Sequence, residues 1–64
     1  MKKKIVIQIP CLNEESTIGK VIKDLKKGLS KPEIIVYDNS STDNTVKEAK
    51  KYGAKVVVEK KREG

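Results

Sequence analysis

One stretch decides the fold: Glu33-Ile34-Ile35-Val36-Tyr37-Asp38-Asn39-Ser40-Ser41-Thr42-Asp43-Asn44-Thr45. Its first part is apolar and β-branched, which is typical of a buried strand. A pattern of helical period follows its last residue. Acids, amides and hydroxyls therefore crowd the carboxyl end of a strand, and open α/β sheets bind their ligands in the crevice at that end.

A second polar turn follows the first apolar run, residues 5–9. It reads Pro10-Cys11-Leu12-Asn13-Glu14-Glu15, and we expect Pro10 to end the strand because proline cannot donate a hydrogen bond to a ladder. Parallel strands bring such turns to the same edge of a sheet. The sequence therefore predicts a ligand site built at the ends of neighbouring strands.

The first helix is predicted between these two strands. Asn13 is its expected N-cap, with negative charge favoured in the turn that follows, and Gly28 lies near its end. Its inward stripe recurs at helical spacing and consists of Ile18, Val21, Ile22, Leu25 and Leu29. Strands are predicted at residues 4–9, 33–37 and 55–59.

A second helix is predicted after the polar stretch. Ser41 or Thr42 is expected to cap it, and Gly53 is expected to end it in the left-handed conformation. Its inner face consists of Val46, Ala49 and Tyr52. The element order is then β-α-β-α-β, with helices of the length that parallel crossovers require, so the fold class is α/β.

The order of the strands follows from handedness. Crossovers between parallel strands are right-handed in about 98% of cases, so a sheet of order 3-2-1 places both helices on one face. In all three strands, however, the residues that face either side of the sheet are apolar. This is the pattern of strands that are buried on both sides. Burying a large apolar side chain contributes roughly 1.5–3 kcal/mol. If five or six side chains on the second face stay uncovered, the free energy forgone is about 10 kcal/mol.

That deficit equals the stability of a typical domain. We therefore interpret residues 1–64 as a single partial domain, the front of a larger α/β domain. Its uncovered sheet face is expected to meet the remainder of the parent chain or a second copy. A small self-associating α/β interaction module that binds no ligand is the alternative.

The composition excludes several classes of site. The chain of 64 residues has one Cys and no His, so it can assemble neither a Ser-His nor a Cys-His nucleophile pair, nor a structural zinc site. Cys11 cannot form an internal disulfide, and no apolar run is long enough for a membrane span or a signal sequence. We expect a cytoplasmic protein.

The net charge of +6 raises nucleic-acid binding as a further alternative. Many lysines, however, lie in the last turns of the two predicted helices, where cations complement the helix dipole. With two Tyr and neither Phe nor Trp, few rings are present on which bases could stack. The pattern favours a solvated surface over a nucleic-acid interface.

The first turn does not have the glycines that hold a pyrophosphate. It contains neither G-x-G-x-x-G nor a Walker-type loop, and its acids would repel phosphate, so a base or a ribose suits it better. In the second turn, Asp38 can accept hydrogen bonds from ribose hydroxyls and Asn39 suits the imide edge of a pyrimidine. Both turns also fit a purely structural role, in which Asn, Asp and hydroxyl side chains bond the backbone of their own loop.

These residues resemble the amino-terminal end of the family two glycosyltransferases. The resemblance is carried by residues 9–15, Ile-Pro-x-Leu-Asn-Glu-Glu, and by residues 33–45 quoted above, and it covers nearly the whole chain. The dolichyl- or polyprenyl-phosphate mannosyl- and glucosyltransferase-like branch is the most similar. The resemblance implies the Rossmann-like half of a GT-A nucleotide-diphospho-sugar transferase fold and, in the full enzyme, a metal-dependent inverting transfer.

Site residues follow from the resemblance position by position. Pro10, Leu12 and Glu14 fall where the family lines the base and ribose pocket. Asp38 and Asn39 fall on the family's Asp-Asp pair, with Asn in the second place. Leu12 stands where an aromatic ring is frequent, and the chain from Arg62 onward resembles the start of a basic, glycine-containing loop that holds the nucleotide.

The resemblance also implies what this chain omits. The Asp-x-Asp metal motif, the catalytic base and the acceptor region lie further along such enzymes, so no catalytic or metal-binding residue is predicted here. Mg or Mn is expected only in the full-length enzyme. The predicted function is the nucleotide-sugar-binding portion of a glycosyltransferase, itself without catalysis. The parent would transfer sugar from a UDP- or GDP-sugar to a lipid-phosphate or saccharide acceptor, at the cytoplasmic face of a membrane.

Overall fold

A computed structural model describes residues 4–59. The elements are β1 (Val6–Cys11), α1 (Ile18–Gly28), β2 (Glu33–Asp38), α2 (Thr45–Lys51) and β3 (Lys55–Val58). The predicted β-α-β-α-β order and the α/β class are confirmed. Neither helix is long and apolar enough to cross a bilayer.

The three strands form one parallel sheet with β2 in the middle. At the carboxyl ends, Cys11 pairs with Asp38, and Asp38 pairs with Val58. All three strands therefore end at one edge, as the predicted order 3-2-1 requires. We call this edge, with the turns that leave it, the carboxyl edge.

Both helices lie on the same side of the sheet. Side chains from α1 and α2 share one core with alternate strand residues, and the buried members are Cys11, Ile18, Ile22, Ile34, Val36, Ala49 and Ala54. Ile22, Val36 and Ala49 are fully buried. The expected one-sided packing is thus present in the described residues.

The opposite side of the sheet has no cover within residues 4–59. Val6 and Val57 on this side are 47% and 43% exposed, and Ile35 and Tyr37 are half-buried. The face is not uniformly apolar. Near the amino-terminal edge of this face, the two carboxylate oxygens of Glu33 form ion pairs with Lys4 Nζ and Lys55 Nζ, each at 2.8 Å.

Pro10 does not end β1, contrary to the prediction from the sequence. The strand starts at Val6 rather than at residue 4 and continues through Pro10 to Cys11. The carbonyls of Ile5 and Cys11 accept hydrogen bonds from the N–H groups of Glu33, in β2, and Asn39, directly after it. By the two-residue period, the nitrogen of Pro10 therefore faces the open side of the sheet. A proline is tolerated there because no ladder bond is lost.

The predicted N-caps of both helices are also wrong. The N-cap of α1 is Thr17 rather than Asn13, and that of α2 is Asn44 rather than Ser41 or Thr42; neither observed cap makes a side-chain capping bond. The side chains of Asn13 and Ser41 are used in contacts between the two turns, described below. Gly53 does end the second helical segment as predicted, with φ of 95°.

Fewer residues of the predicted inner faces of the two helices are buried than expected. Ile18 and Ile22 are buried, whereas Val21 is 41% exposed. Tyr52 is 37% exposed, and its ring lies against α1, over Gly19. A Cβ atom on Gly19 would lie 2.5 Å from that ring, so glycine lets the two helices approach each other.

Replacing Gly19 by Ala should therefore destabilise the fold by about 1–3 kcal/mol, because the ring of Tyr52 must move. Gly28→Ala is the matched control, since nothing lies within 4 Å of its Cβ position, and it should stabilise by about 0.5–1 kcal/mol. Urea unfolding measures both. Adding Tyr52→Ala to Gly19→Ala should cost less than the sum of the single changes; equal stabilisation by both alanines would contradict the contact.

A pH dependence follows from Glu33. Hydrogen bonds from Lys4 and Lys55 lower the pKa of its carboxyl from 4.5 to about 2. A carboxyl with a depressed folded-state pKa stabilises above its unfolded value, and that contribution is lost as the pH falls from about 4.5 towards 2. Carbon-detected NMR titration should show the low pKa, and Lys4→Gln with Lys55→Gln should raise it; an unchanged titration would contradict the pairing.

Candidate functional site: the carboxyl edge

Two turns lie side by side at the carboxyl edge. The first turn, residues 12–17, joins β1 to α1, and the second turn, residues 39–44, joins β2 to α2. The N–H of Asn39 donates to the carbonyl of Cys11 at 2.8 Å, which extends the strand pairing into the turns. The polar stretches singled out in the sequence are thus neighbours in space.

The carboxylate of Asp38 is buried beneath the second turn. Its side chain belongs to a residue only 1% exposed. One oxygen accepts the N–H of Ser41 at 2.9 Å, and the other accepts the Ser41 hydroxyl. These bonds form an Asx-type turn, so Asp38 shapes the loop from below rather than projecting from it.

Asn13 and Ser41 connect the two turns. The N–H of Asn13 donates to Ser41 Oγ at 2.8 Å, and Asn13 Oδ1 accepts the N–H of Thr42 at 2.8 Å. Asn13 adopts the left-handed region with φ of 52°, which Asn tolerates better than most residues. We call this reciprocal pair of bonds, together with the Asp38–Ser41 contacts, the turn clasp.

A second set of bonds joins the turns nearer the helices. The hydroxyl oxygen of the fully buried Thr45 accepts the N–H of Glu14 at 2.7 Å. Asp43 accepts the N–H of Glu15 at 3.3 Å, and Glu15 in return accepts the N–H of Asn44 at 3.3 Å. The two helix starts are therefore held in register with each other.

Asp43 is also committed to its own loop. It accepts both the N–H and the hydroxyl of Thr45. The hydrogen bond from that hydroxyl is the main cause of the lowered pKa of Asp43, and partial desolvation opposes it. The carboxylate consequently stays charged at neutral pH while serving as a loop acceptor.

The structure separates the predicted site residues into two groups. Asp38 is buried, whereas Pro10, Leu12, Glu14 and Asn39 are exposed. Leu12, at 50% exposure, and Asn39 project from neighbouring turns and are the groups open to a ligand. Pro10 lies on the uncovered face, paired with Tyr37. The predicted residue Arg62 lies outside the described residues.

Metal binding and thiol chemistry find no support in this part of the chain. Within residues 4–59 no three acids or cysteines are grouped so that they could hold a metal ion. Cys11 is buried, and its burial, followed by the negative charges of Glu14 and Asp38, raises the pKa of its thiol. A protonated, buried thiol is a poor nucleophile.

Sequence reasoning missed the partners that the turn residues have across the edge. From the sequence, Asn13 and Ser41 are predicted to act within their own turns as helix caps, and Thr45 has no predicted role beyond bonding its own loop. The available signal was that amide and hydroxyl side chains occur in both turns of two strands predicted to be neighbours. Such side chains can satisfy the N–H groups of the adjacent turn as readily as their own.

The chain is similar in sequence to known proteins. Residues 6–64 match the profile described as Glycosyl transferase family 2. Protein RfbJ of Shigella flexneri is 46% identical over 52 residues, covering 81% of this chain and 40% of that protein. Glucosyl-3-phosphoglycerate synthase of Petrotoga mobilis is 50% identical over 58 residues, covering 83% of this chain and 18% of that protein.

The fold has a solved counterpart as well. The crystal structure of a mycobacterial protein superposes with a TM-score of 0.76 at 40% identity, covering 88% of this chain and 19% of that one. The chain therefore spans 40% or less of the length of these three proteins.

Removing the side chain of Asn13 tests the turn clasp. Asn13→Ala should destabilise the fold by about 1 kcal/mol, because the N–H of Thr42 loses its acceptor. The amide of Thr42 should also exchange faster with solvent. Asn39→Ala is the matched control, since no hydrogen bond to its exposed amide is present among the described residues. Equal protection of Thr42 in both variants would show that the clasp does not hold the turn.

Proposed function

Because the chain belongs to glycosyl transferase family 2, we propose that its carboxyl edge binds the nucleoside of a nucleotide-diphosphate-sugar donor. One observation carries the proposal. The turns are fixed by the turn clasp while the side chains of Leu12 and Asn39 stay exposed beside each other's turn. Two rigid turns that expose one apolar side chain and one amide suit a flat heterocycle that has an imide edge.

Each exposed group has a role in this proposal. The amide of Asn39 both donates and accepts, as an imide edge requires. Leu12 and Pro10 offer apolar contact to the base. Glu14, whose Oε1 already accepts the hydroxyl of Thr17 at 3.0 Å, retains acceptor capacity for a ribose hydroxyl.

For Asp38 we propose a role other than the ribose contact expected from the sequence. Both of its oxygens are engaged by Ser41, so we propose that it positions Asn39 rather than contacting the ribose directly. The proposed contact set is then Pro10, Leu12, Glu14 and Asn39, with Arg62 as a further candidate on the basis of the family resemblance.

We propose that other parts of the parent protein bind the diphosphate and catalyse the transfer. Mg or Mn is the expected cofactor of the full-length enzyme, but the described acids do not fit it, since Asp38 and Asp43 are committed to hydrogen bonds within their turns. We propose that this chain is the front of a larger domain and catalyses no transfer alone. For the parent we propose transfer from a UDP- or GDP-sugar to a lipid-phosphate or saccharide acceptor.

A second candidate is a self-associating module without a ligand. It is favoured by the uncovered sheet face, where Val6, Ile35 and Val57 have no cover within the described residues. The remainder of a parent domain could cover the same face. The two candidates differ in whether nucleotide changes the spectrum of the chain.

Titration with UDP or GDP, followed by NMR, tests the proposal. Amide shifts should concentrate at residues 10–14 and 37–41. Asn39→Ala should weaken binding about tenfold, as expected for one lost hydrogen bond of roughly 1.5 kcal/mol. Asn44→Ala, in the same turn but without a side-chain capping bond, should leave binding unchanged.

The outcomes separate the two candidates. A chain with the dispersed spectrum of a folded protein, in which neither turn responds to UDP or GDP, would refute nucleotide binding. Sedimentation showing a dimer that is indifferent to nucleotide would favour the self-associating module.

A further inference from the structure

The outer side of the helical layer is strongly basic. Six exposed lysines lie there: Lys20, Lys23 and Lys27 of α1, which are three and four residues apart, and Lys47, Lys50 and Lys51 of α2, of which the last two are adjacent. They face away from the buried residues Ile18, Ile22, Thr45 and Ala49. We call this surface the basic face.

Most of these charges are not neutralised. Asp24 is the one acid within α1, and it pairs with Lys20 at 3.1 Å. Lys51 lies 6.0 Å from the ring centre of Tyr52. The described ion pairs involve no other lysine of the two helices, so five ammonium groups of the basic face are in no described ion pair.

Among the described residues, two acids lie in the helices, Asp24 in α1 and the half-buried Glu48 in α2, and the others lie away from the basic face. Glu14, Glu15, Asp38 and Asp43 are all at the carboxyl edge, in or beside the two turns. The helices run side by side because Gly19 admits the ring of Tyr52, and Lys26 of α1 donates to the carbonyl of Tyr52 at 2.8 Å. The lysines of both helices therefore form one continuous surface.

We propose that the basic face docks on a bilayer surface containing anionic phospholipids. The charge of the face complements such a surface, and its cations are all lysines, which act as compact point charges without the fork geometry that arginine offers to nucleic acids. No aromatic ring lies among the outward positions to stack on bases. The orientation leaves the carboxyl edge and the uncovered sheet face accessible.

Vesicle sedimentation tests the proposal with the full 64-residue chain. Vesicles of phosphatidylcholine mixed with phosphatidylserine should bind it, and vesicles of phosphatidylcholine alone should not. Replacing Lys23, Lys27 and Lys50 together by Gln should lower the affinity about 100-fold, at about fivefold per lysine. Binding should also fall with added salt.

A matched triple variant separates the basic face from net charge. Lys4, Lys31 and Lys55, all exposed and outside both helices, are replaced by Gln with the same loss of charge; this variant should keep most of its affinity. Circular dichroism confirms folding of both triples. Equal losses in both, or equal binding to both kinds of vesicle, would overturn the proposal. Tighter binding to an RNA oligonucleotide through the same three lysines would overturn it in favour of nucleic acid.

Discussion

The hydrogen bonds from Ser41 to the buried carboxylate of Asp38 organise the carboxyl edge. A carboxylate at this depth needs hydrogen-bond donors, because an unpaired buried charge is costly, and Ser41 supplies two of them. The same Ser41 hydroxyl oxygen accepts the N–H of Asn13, so the position of the first turn depends on the second. One buried carboxyl group thus determines the geometry of the groups above it.

The sheet has two unlike sides. On one side, both helices bury Ile22, Val36 and Ala49 completely. On the other side, Val6 and Val57 are about half exposed. Glu33 forms ion pairs there with Lys4 and Lys55. The polar cluster reduces the hydrophobic deficit at the amino-terminal edge. Apart from Val6, the apolar side chains of this face lie in its middle and toward the carboxyl ends, where Tyr37 pairs with Pro10 and Val57.

Periodicity and handedness were sufficient to predict the order of elements, the parallel sheet and the placement of both helices on one face. The helix starts were not predictable in the same way. A cap prediction assumes that a side chain bonds its own backbone, and Asn13 instead bonds Thr42, 29 residues away in sequence. Asp38 shows the same limit, since its position at the end of a strand is visible in the sequence but its burial beneath Ser41 depends on the tertiary fold.

The uneven depth of the turn residues also explains why the family resemblance and the structure assign different roles to adjacent positions. Asp38 and Asn39 are consecutive, so the strand alternation directs one side chain inward and the next outward. The resemblance treats them as a pair. The fold makes one of them a support and leaves the other in contact with solvent.

Pro10 has a consequence for how this sheet can be enlarged. Its ring nitrogen has no hydrogen to offer along the outer border of β1, so an incoming strand could not complete its hydrogen-bonding pattern beside that position. Pro10 therefore disfavours the pairing of another strand with the outer edge of β1. A strand added there could pair regularly only with the earlier part of β1, where Val6 and Gln8 keep their N–H groups.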